Sequence, residues 1–533
     1  MNFIMLIVSG VLTALSLMNK YTGFLAFFSL IPYIYVLLKE SQRPNRALTF
    51  FGYGFVYSMS YFLTIYHWFW YMYGTDFLDF SKKETFFICL FFQIGLSLVQ
   101  AFLYSFIPIV FRLAKQKYPM LSPLIFALVY SVFEFLQSLT WTGVPWARLA
   151  LSQVGNKPML ALSSLFGSIF VAFVVVLING YLALAIYKLI STREFTKRIV
   201  MYASSALLVF ALAMVTGAVT LYLMPKDSEE NKVDIVLVQT NIGSTDKWDG
   251  DDASALDKVI SLAEKAYEAE GEADIILLPE TCIVYAARTS EYTCQEFKAL
   301  AKKTGATVVV GTFDEAYSDD GKTRNDYNAL ISFFPNGKIE EGGYYKRHLV
   351  PFGEYVPMRK ILTTIFPFLD GIAMLEDDLT PGKDSAVIES GHGKIGRLIC
   401  FDSIYPSLTI DSVKDGAELI LLSTNDSWYR DSASAYQHNC HAVLRAVESG
   451  RWVARCATTG ISSVISPDGE VVESLGALKE GYVKGEVYTR TNRTLYSYVQ
   501  DSFVLASAIA LVILIGINAY IDIKFSKSEG YDI

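Results

Sequence analysis

Residues 394–406 read KIGRLICFDSIYP. The apolar run Lys394–Cys400 predicts a strand that stops at the cysteine, and the residues through Tyr405-Pro406 predict a turn into a helix. A thiol there is presented at a sheet's carboxyl edge, where α/β enzymes commonly place nucleophiles. Taken alone, a strand-end cysteine is more often a small buried residue. Two further segments change that balance. Upstream, Ala273–Leu278 (ADIILL) runs into Pro279-Glu280, and between the two lies Tyr344–Pro357 (YYKRHLVPFGEYVP), which carries Lys346. A carboxylate, an ammonium and a thiol thus each stand beside a sheet-like segment, in that chain order.

Outward from this stretch, strand and helix patterns alternate from residue 232 on. Strands are expected at 233–239, 273–278, 307–312, 418–423, 453–457, 462–466, 471–474 and 481–486, and helices at 252–270, 290–304 and 433–449. Pro335-Asn336-Gly337 predicts a hairpin between 327–334 and 338–345, and Pro467-Asp468-Gly469 predicts another. This pattern suits two packed sheets faced by helices.

A free thiol is mostly protonated near neutral pH, so a neighbour must take its proton. Glu280 is the candidate general base and later acid. Lys346 is the candidate for stabilising an oxyanion and favouring the thiolate. Cys400 is the candidate nucleophile. The bland readings are a helix cap for Glu280 and an ordinary hairpin lysine for Lys346. Cys89, Cys282, Cys294, Cys400, Cys440 and Cys456 show no paired metal spacing, and His438 and His441 make no zinc pattern with carboxylates, so no metal or cofactor is expected. Cysteines on an oxidising side of a membrane can form disulfides. Their pairing stays open, but a catalytic Cys400 must remain unpaired.

Composition points to a membrane independently. Apolar residues make up 52% of the 533, charged residues only 18%, and mean hydropathy is +0.34. The apolar mass fills residues 1–224 and returns at 502–523. Spans are expected at 3–18, 22–38, 47–68, 84–111, 120–138, 160–189, 199–223 and 502–523. The first is not read as a cleaved leader, because Met1–Leu17 lacks a basic flank and the chain re-enters the membrane at once. The chain therefore divides into a transmembrane domain (1–224), a globular catalytic domain (225–501) and a last span with its tail (502–533). Basic residues cluster at Lys39, Arg43 and Arg46, at Arg112, Lys115 and Lys117, at Arg193, Lys197 and Arg198, and at Lys524 and Lys527. Positive-inside bias then places both termini in the cytoplasm and residues 224–501 outside. The net charge of −8 argues against nucleic acid as a partner. His67, Trp68 and Trp70 read as an interfacial aromatic belt, and Pro145-Trp146 as a bend at the headgroup layer. Glu134 lies inside a span, as a functional carboxylate or a buried pair.

The order Glu280, Lys346, Cys400 with these flanks resembles the nitrilase (carbon–nitrogen hydrolase) superfamily, and KRHLVPFGEYVP with the membrane spans resembles its apolipoprotein N-acyltransferase family. The resemblance implies a polytopic α-helical membrane domain plus an αββα sandwich with a Glu-Lys-Cys triad. It implies supporting roles for Glu354, Trp428, Asn328 and Trp248; Gln239 and Asn241 match the same family string as Trp248, and Arg445, Glu448 and Arg455 read as structural ion pairs holding the sandwich. It implies ping-pong transfer without a cofactor: Cys400 takes an acyl chain from a phospholipid and passes it to the N-terminal amine of an S-diacylglyceryl-cysteine apolipoprotein. The partners are then that acyl donor, that acceptor and membrane lipids. The implied setting is a monomer in the bacterial inner membrane with its catalytic domain in the periplasm. Phe401-Asp402 stands where the family usually has tyrosine-glutamate, which leaves any specific hydrogen bond at 402 open. A membrane-anchored amidase using the same triad is the nearest rival, and a non-catalytic transporter or scaffold the more distant one. Ile361–Met374 is too apolar for an ordinary loop and reads either as domain core or as a lid resting on the membrane.

Overall fold

Strands that read as near-continuous apolar runs are buried on both faces, and the globular half is built that way. The computed structural model describes residues 1–42, 46–73, 80–114, 118–139, 143–243, 252–317, 324–371 and 378–528. Among them the strands are β1 (Lys232–Gln239), β2 (Ile275–Leu277), β3 (Thr307–Tyr317), β4 (Arg324–Phe333), β5 (Tyr344–Tyr345), β6 (Ile388–Glu389), β7 (Lys394–Ile399), β8 (Leu419–Thr424), β9 (Val453–Ala457), β10 (Ser462–Ile465), β11 (Val471–Leu475) and β12 (Gly481–Tyr488). They form two sheets, in the orders β12-β1-β2-β3-β4-β5 and β11-β10-β9-β8-β7-β6.

The period of two sorts each strand's side chains. Val233, Ile235 and Leu237 of β1 enter a core shared with Ile395 and Ile399 of β7 and Leu419 and Leu421 of β8. That core lies between the sheets. Val236 and Val238 point the other way, with Ile276, Val308 and Val310, and are covered by helices Asp252–Glu270 and Glu291–Thr304. Helices Pro406–Lys414 and Ala433–Ser449 pack on the second sheet. Fully burying a Val, Leu or Ile side chain contributes about 1.5–3 kcal/mol, so these two layers of apolar residues hold the sandwich.

One local expectation of the globular half changes. The first hairpin is shorter than its apolar pattern suggests. After the turn only Tyr344–Tyr345 pairs as a strand with β4, and Ile339 makes a single bridge to Phe333. Between Cys400 and the helix Pro406–Lys414 the expected turn is a tight 3-10 turn, Cys400–Ile404.

The chain packs as two compact units, one of residues 1–67, 90–224 and 498–533, the other of 68–89 and 225–497. In the first unit and its extensions, seven helical segments among the described residues are long and apolar enough to cross a membrane: Gly23–Glu40, Ala47–Met72, Lys82–Ala114, Pro119–Leu136, Ser168–Thr192, Lys197–Tyr222 and Ser502–Ile521. The expected first span forms only the 14-residue helix Asn2–Leu15. At 1.5 Å per residue it reaches roughly 20 Å, short of a hydrocarbon core of about 30 Å. The expected 160–189 span breaks into Lys157–Ala161, Ser163–Phe166 and the long Ser168–Thr192. Glu134 is buried; its Oε1 accepts the Leu149 N–H at 2.7 Å, and Arg148 donates to its main-chain carbonyl at 3.2 Å. Trp146 is buried, not lying at a surface.

Candidate active site

Parallel pairing of β1, β2 and β3 in one sheet and of β7, β8 and β9 in the other gives each sheet a carboxyl edge. Glu280 follows β2, Cys400 follows β7, and Asn425 and Asp426 follow β8. Ser423 donates to the Leu278 carbonyl at 2.9 Å and so ties the two edges together. Lys346 follows β5, and its N–H donates to the Asn328 carbonyl at 2.9 Å. Gly311 has a local reason: a Cβ there would meet the Pro279 carbonyl at 2.2 Å. The Pro279-Glu280 turn can approach β3 only because no side chain intervenes.

The charged groups meet in a small ring. Lys346 Nζ donates to Glu280 Oε1 at 3.0 Å and contacts Glu354 at 2.9 Å. Asn328 Nδ2 donates to the same two carboxylates, at 2.7 Å and 2.8 Å. The Asn425 N–H donates to Glu280 Oε2 at 2.6 Å, and the Val350 N–H to Glu354 Oε2 at 2.8 Å. Lys346 is 1% exposed and Glu280 4%, so water does not screen the cluster. Burial opposes the charge on Lys346, but Glu280 and Glu354 outweigh it and hold the ammonium's pKa well above its ordinary value.

Cys400 has φ +47°, a left-handed conformation that a side chain rarely adopts. Burial pushes its thiol well above the ordinary range; Glu280 adds to that rise and Lys346 works against it. Glu280 and Lys346 thus both act electrostatically on the sulfur, in opposite senses. Asp402, two residues on, clamps the cysteine turn to the lysine segment. Its Oδ1 accepts from the N–H groups of Arg347 at 3.2 Å and His348 at 2.8 Å. Its Oδ2 accepts from the Tyr344 hydroxyl at 2.7 Å and the Ile399 N–H at 3.1 Å. The shorter acid at 402 thus has a full set of partners. Burial lifts its carboxyl to about 6, against the pull of the His348 N–H, Lys346 and Tyr344.

The structure brings together Glu280, Lys346, Cys400, Glu354 and Asn328. Trp428 lies half-buried in the turn after β8. Trp248 lies outside the described residues. Sequence reasoning missed Asp426, Tyr429 and His438. The buried His438 Nδ1 lies 2.7 Å from Asp426, whose other oxygen takes Arg455 at 2.7 Å. Burial works against the Asp426 charge, but Arg455 and His438 more than offset it and hold the carboxyl well below its usual range. Tyr429 has its ring 5.9 Å from that of His438 and 4.8 Å from that of Trp68. Trp68 therefore packs against the site's own residues, which the interfacial-belt reading does not anticipate. Cys400, Asp426 and His438 place one possible ligand atom each within 4.8 Å of one another. Arg455 and His438 already occupy both oxygens of Asp426, so the group is a hydrogen-bonded network. None of the six cysteines forms a disulfide; Cys282 donates to the Gly311 carbonyl and Cys456 to that of Val238.

Residues 9–181 match the apolipoprotein N-acyltransferase N-terminal domain, and residues 235–494 match the carbon-nitrogen hydrolase family. The apolipoprotein N-acyltransferase of Neisseria meningitidis serogroup B is 30% identical over 402 residues, 74% of each chain. The chain belongs to the apolipoprotein N-acyltransferase family. The family member of Geobacter metallireducens is 29% identical over 511 residues, 95% of this chain and 93% of the relative. That of Rickettsia typhi is 29% identical over 502 residues, 93% and 94% of the two chains. The fold is accordingly a polytopic helical membrane domain joined to a nitrilase-like αββα sandwich, and the N-acyltransferase is a multi-pass membrane protein.

Proposed function

We propose that this chain moves an acyl chain from a phospholipid, through a thioester on Cys400, to the N-terminal amine of an S-diacylglyceryl-cysteine apolipoprotein. The observation that carries the reading is the buried ring of Lys346 between Glu280 and Glu354 beside the thiol. Glu280 takes the Cys400 proton as the sulfur attacks the donor's ester carbonyl. Lys346 stabilises the negative charge that develops on that oxygen. The C–O bond then breaks, and Glu280 returns its proton to the leaving alkoxide, giving a lysophospholipid and the thioester. In the second half the acceptor amine attacks the thioester carbonyl. Glu280 takes a proton from the nitrogen, the C–S bond breaks, and the proton returns to sulfur. Asn328 and Glu354 hold Lys346 and Glu280 in register throughout.

Both substrates are lipids, so confining the catalyst to a bilayer raises their effective concentration. The basic residues Lys39, Arg46, Arg112, Arg193, Lys197 and Arg198 support an inner-membrane orientation with residues 225–497 on the periplasmic side. The helix Arg359–Ile365 and the residue before it support a contact with lipid. Met358, Ile361 and Ile365 there are 51%, 57% and 60% exposed, while Leu369 just beyond is buried. These exposed residues favour the membrane-resting reading of that segment over the core reading; residues 372–374 of it lie outside the described ones. The deciding experiment is mass spectrometry of the purified protein after incubation with phospholipid. An acyl adduct on Cys400 is expected, followed by its loss to an acceptor peptide bearing the diacylglyceryl-cysteine. Adduct loss to water at the same rate with and without acceptor would leave an amidase-like hydrolase instead.

A further inference from the structure

Cys400 needs something to hold it at φ +47°, because a non-glycine residue there is strained. Its carbonyl has two buried partners. Ser403 Oγ donates to the Cys400 carbonyl oxygen at 2.7 Å, and His438 Nε2 lies 3.2 Å from that oxygen and 3.1 Å from Ser403 Oγ. The opposite ring nitrogen, Nδ1, is 2.7 Å from Asp426 Oδ1. Asp426 is in turn fixed by Arg455 at 2.7 Å and by the Thr424 hydroxyl at 3.0 Å. A Cβ on Gly460 would meet Asp426 Oδ2 at 2.0 Å, so the chain leaves room for this carboxylate. His438, Asp426, Arg455, Thr424 and Ser403 are all fully buried.

Resting on the reading of Cys400 as nucleophile, we propose that His438 is a positioning residue for it: anchored by Asp426, it clamps the Cys400 carbonyl and, with Ser403, fixes the strained turn that aims the thiol. The ring's donor pattern fits this. Nδ1 faces Asp426 Oδ1 at 2.7 Å and Arg455 Nη2 at 3.1 Å, and Nε2 faces the Cys400 carbonyl at 3.2 Å, within reach to donate to it. The role is not that of the base, because the near ring nitrogen is spent on the carbonyl and the sulfur is left to Glu280. The clamp comes from the helix Ala433–Ser449 on the outer face of the second sheet. It therefore couples the nucleophile to an element that carries none of the three triad residues.

Two substitutions separate the clamp from the anchor. The amide nitrogen of glutamine stands about where His Nε2 does, and that of asparagine about where Nδ1 does. His438→Gln keeps a donor for the Cys400 carbonyl, whereas His438→Asn keeps one for Asp426 only. The full-length enzyme is incubated with phospholipid vesicles over a range of lipid content, and acyl-Cys400 is timed by intact-protein mass spectrometry. Rates are taken per folded molecule. His438→Asn is expected to lower the limiting acylation rate about 10²-fold at unchanged half-saturating lipid, the scale of a small misplacement of a reacting group. His438→Gln is expected to recover to within about tenfold of the wild type. A wild-type rate in His438→Asn, or equal loss in the two variants, overturns the clamp. Should His438→Asn not fold, Ser403→Ala takes its place: about tenfold slower acylation supports the clamp, and a wild-type rate overturns it. Retained acyl transfer by Cys400→Ala defeats the nucleophile reading itself, a result the His438 variants cannot produce.

Discussion

Asp402→Asn tests how much of this site is built by one carboxylate. The wild-type side chain accepts four hydrogen bonds, two on each oxygen, from Tyr344, Arg347, His348 and Ile399. An asparagine keeps one oxygen, best placed on the Arg347 and His348 N–H groups. Its NH₂ can be accepted by the Tyr344 hydroxyl once that group turns round, but the Ile399 N–H is left facing a donor. An orphaned buried N–H costs about 1–3 kcal/mol, and turning two charge-assisted bonds into neutral ones costs about 1 kcal/mol each. Against this, a carboxyl held at about 6 instead of its ordinary value near 3.8 destabilises the fold at neutral pH by on the order of 3 kcal/mol. The variant escapes that cost. The sign is definite: the folded value is raised, so the wild type incurs this cost as pH climbs from about 4 through about 6, and the variant has no such slope. The terms nearly cancel, so the net change in stability at neutral pH should be within about 2 kcal/mol. The catalytic change should not cancel, because the Lys346 segment loses its tie to the cysteine turn. We expect acylation of Cys400 to slow by roughly 10–10²-fold, with a thermal midpoint in detergent shifted by only a few degrees. Acylation at the wild-type rate, or a loss of activity that tracks the unfolded fraction, would refute the clamp argument.

The other expectations are more direct. Cys400→Ala and Cys400→Ser should abolish N-acylation at normal membrane insertion, as measured by acceptor modification in vesicles; substantial transfer by either removes the nucleophile. Glu280→Gln and Lys346→Ala should each block the thioester adduct, the first by removing the base and the second by removing oxyanion stabilisation worth about 10²-fold or more. Replacing Ile361 and Ile365 by serine should slow transfer from bilayer lipid far more than it lowers the thermal midpoint, because both side chains are exposed; a collapse in stability would return them to the core. A single cysteine label at Lys226 should react from the outside and one at Arg193 only from the cytoplasm, and the opposite pattern would reverse the proposed orientation.

The candidate residues Glu280, Lys346 and Cys400 were legible in the sequence because each follows a strand with a local signature. Strand followed by Pro279-Glu280 and strand followed by Cys400 are short-range patterns, and parallel sheets bring such ends to one edge. Glu354 and Asn328 needed the resemblance, since no local pattern marks them, yet both fall on Lys346. The layers were legible too, since period-two burial and turn signals are local. The first hairpin was less so: apolar alternation over 338–345 suggested a longer pair than Tyr344–Tyr345 provides. The 14-residue helix Asn2–Leu15 was overread because hydropathy averages over a window and does not see where a helix ends.

What the sequence hid is the back of the site. Asp426, His438 and Arg455 are separated by up to 29 residues and lie after β8, on a helix and in β9. In one dimension His438 is one of two histidines in a helix, and Arg455 is the one basic residue of a short strand. Only packing of helix Ala433–Ser449 on the second sheet puts the ring against the Cys400 carbonyl. A motif names the groups that touch substrate, because chemistry constrains their type at a strand end. The groups that hold those in place are chosen by three-dimensional fit: a donor 3.2 Å from a strained carbonyl, and a glycine at 460 that leaves space for Asp426. The left-handed turn at Cys400 links the two classes, since the strained conformation of the candidate nucleophile is what the proposed clamp would hold.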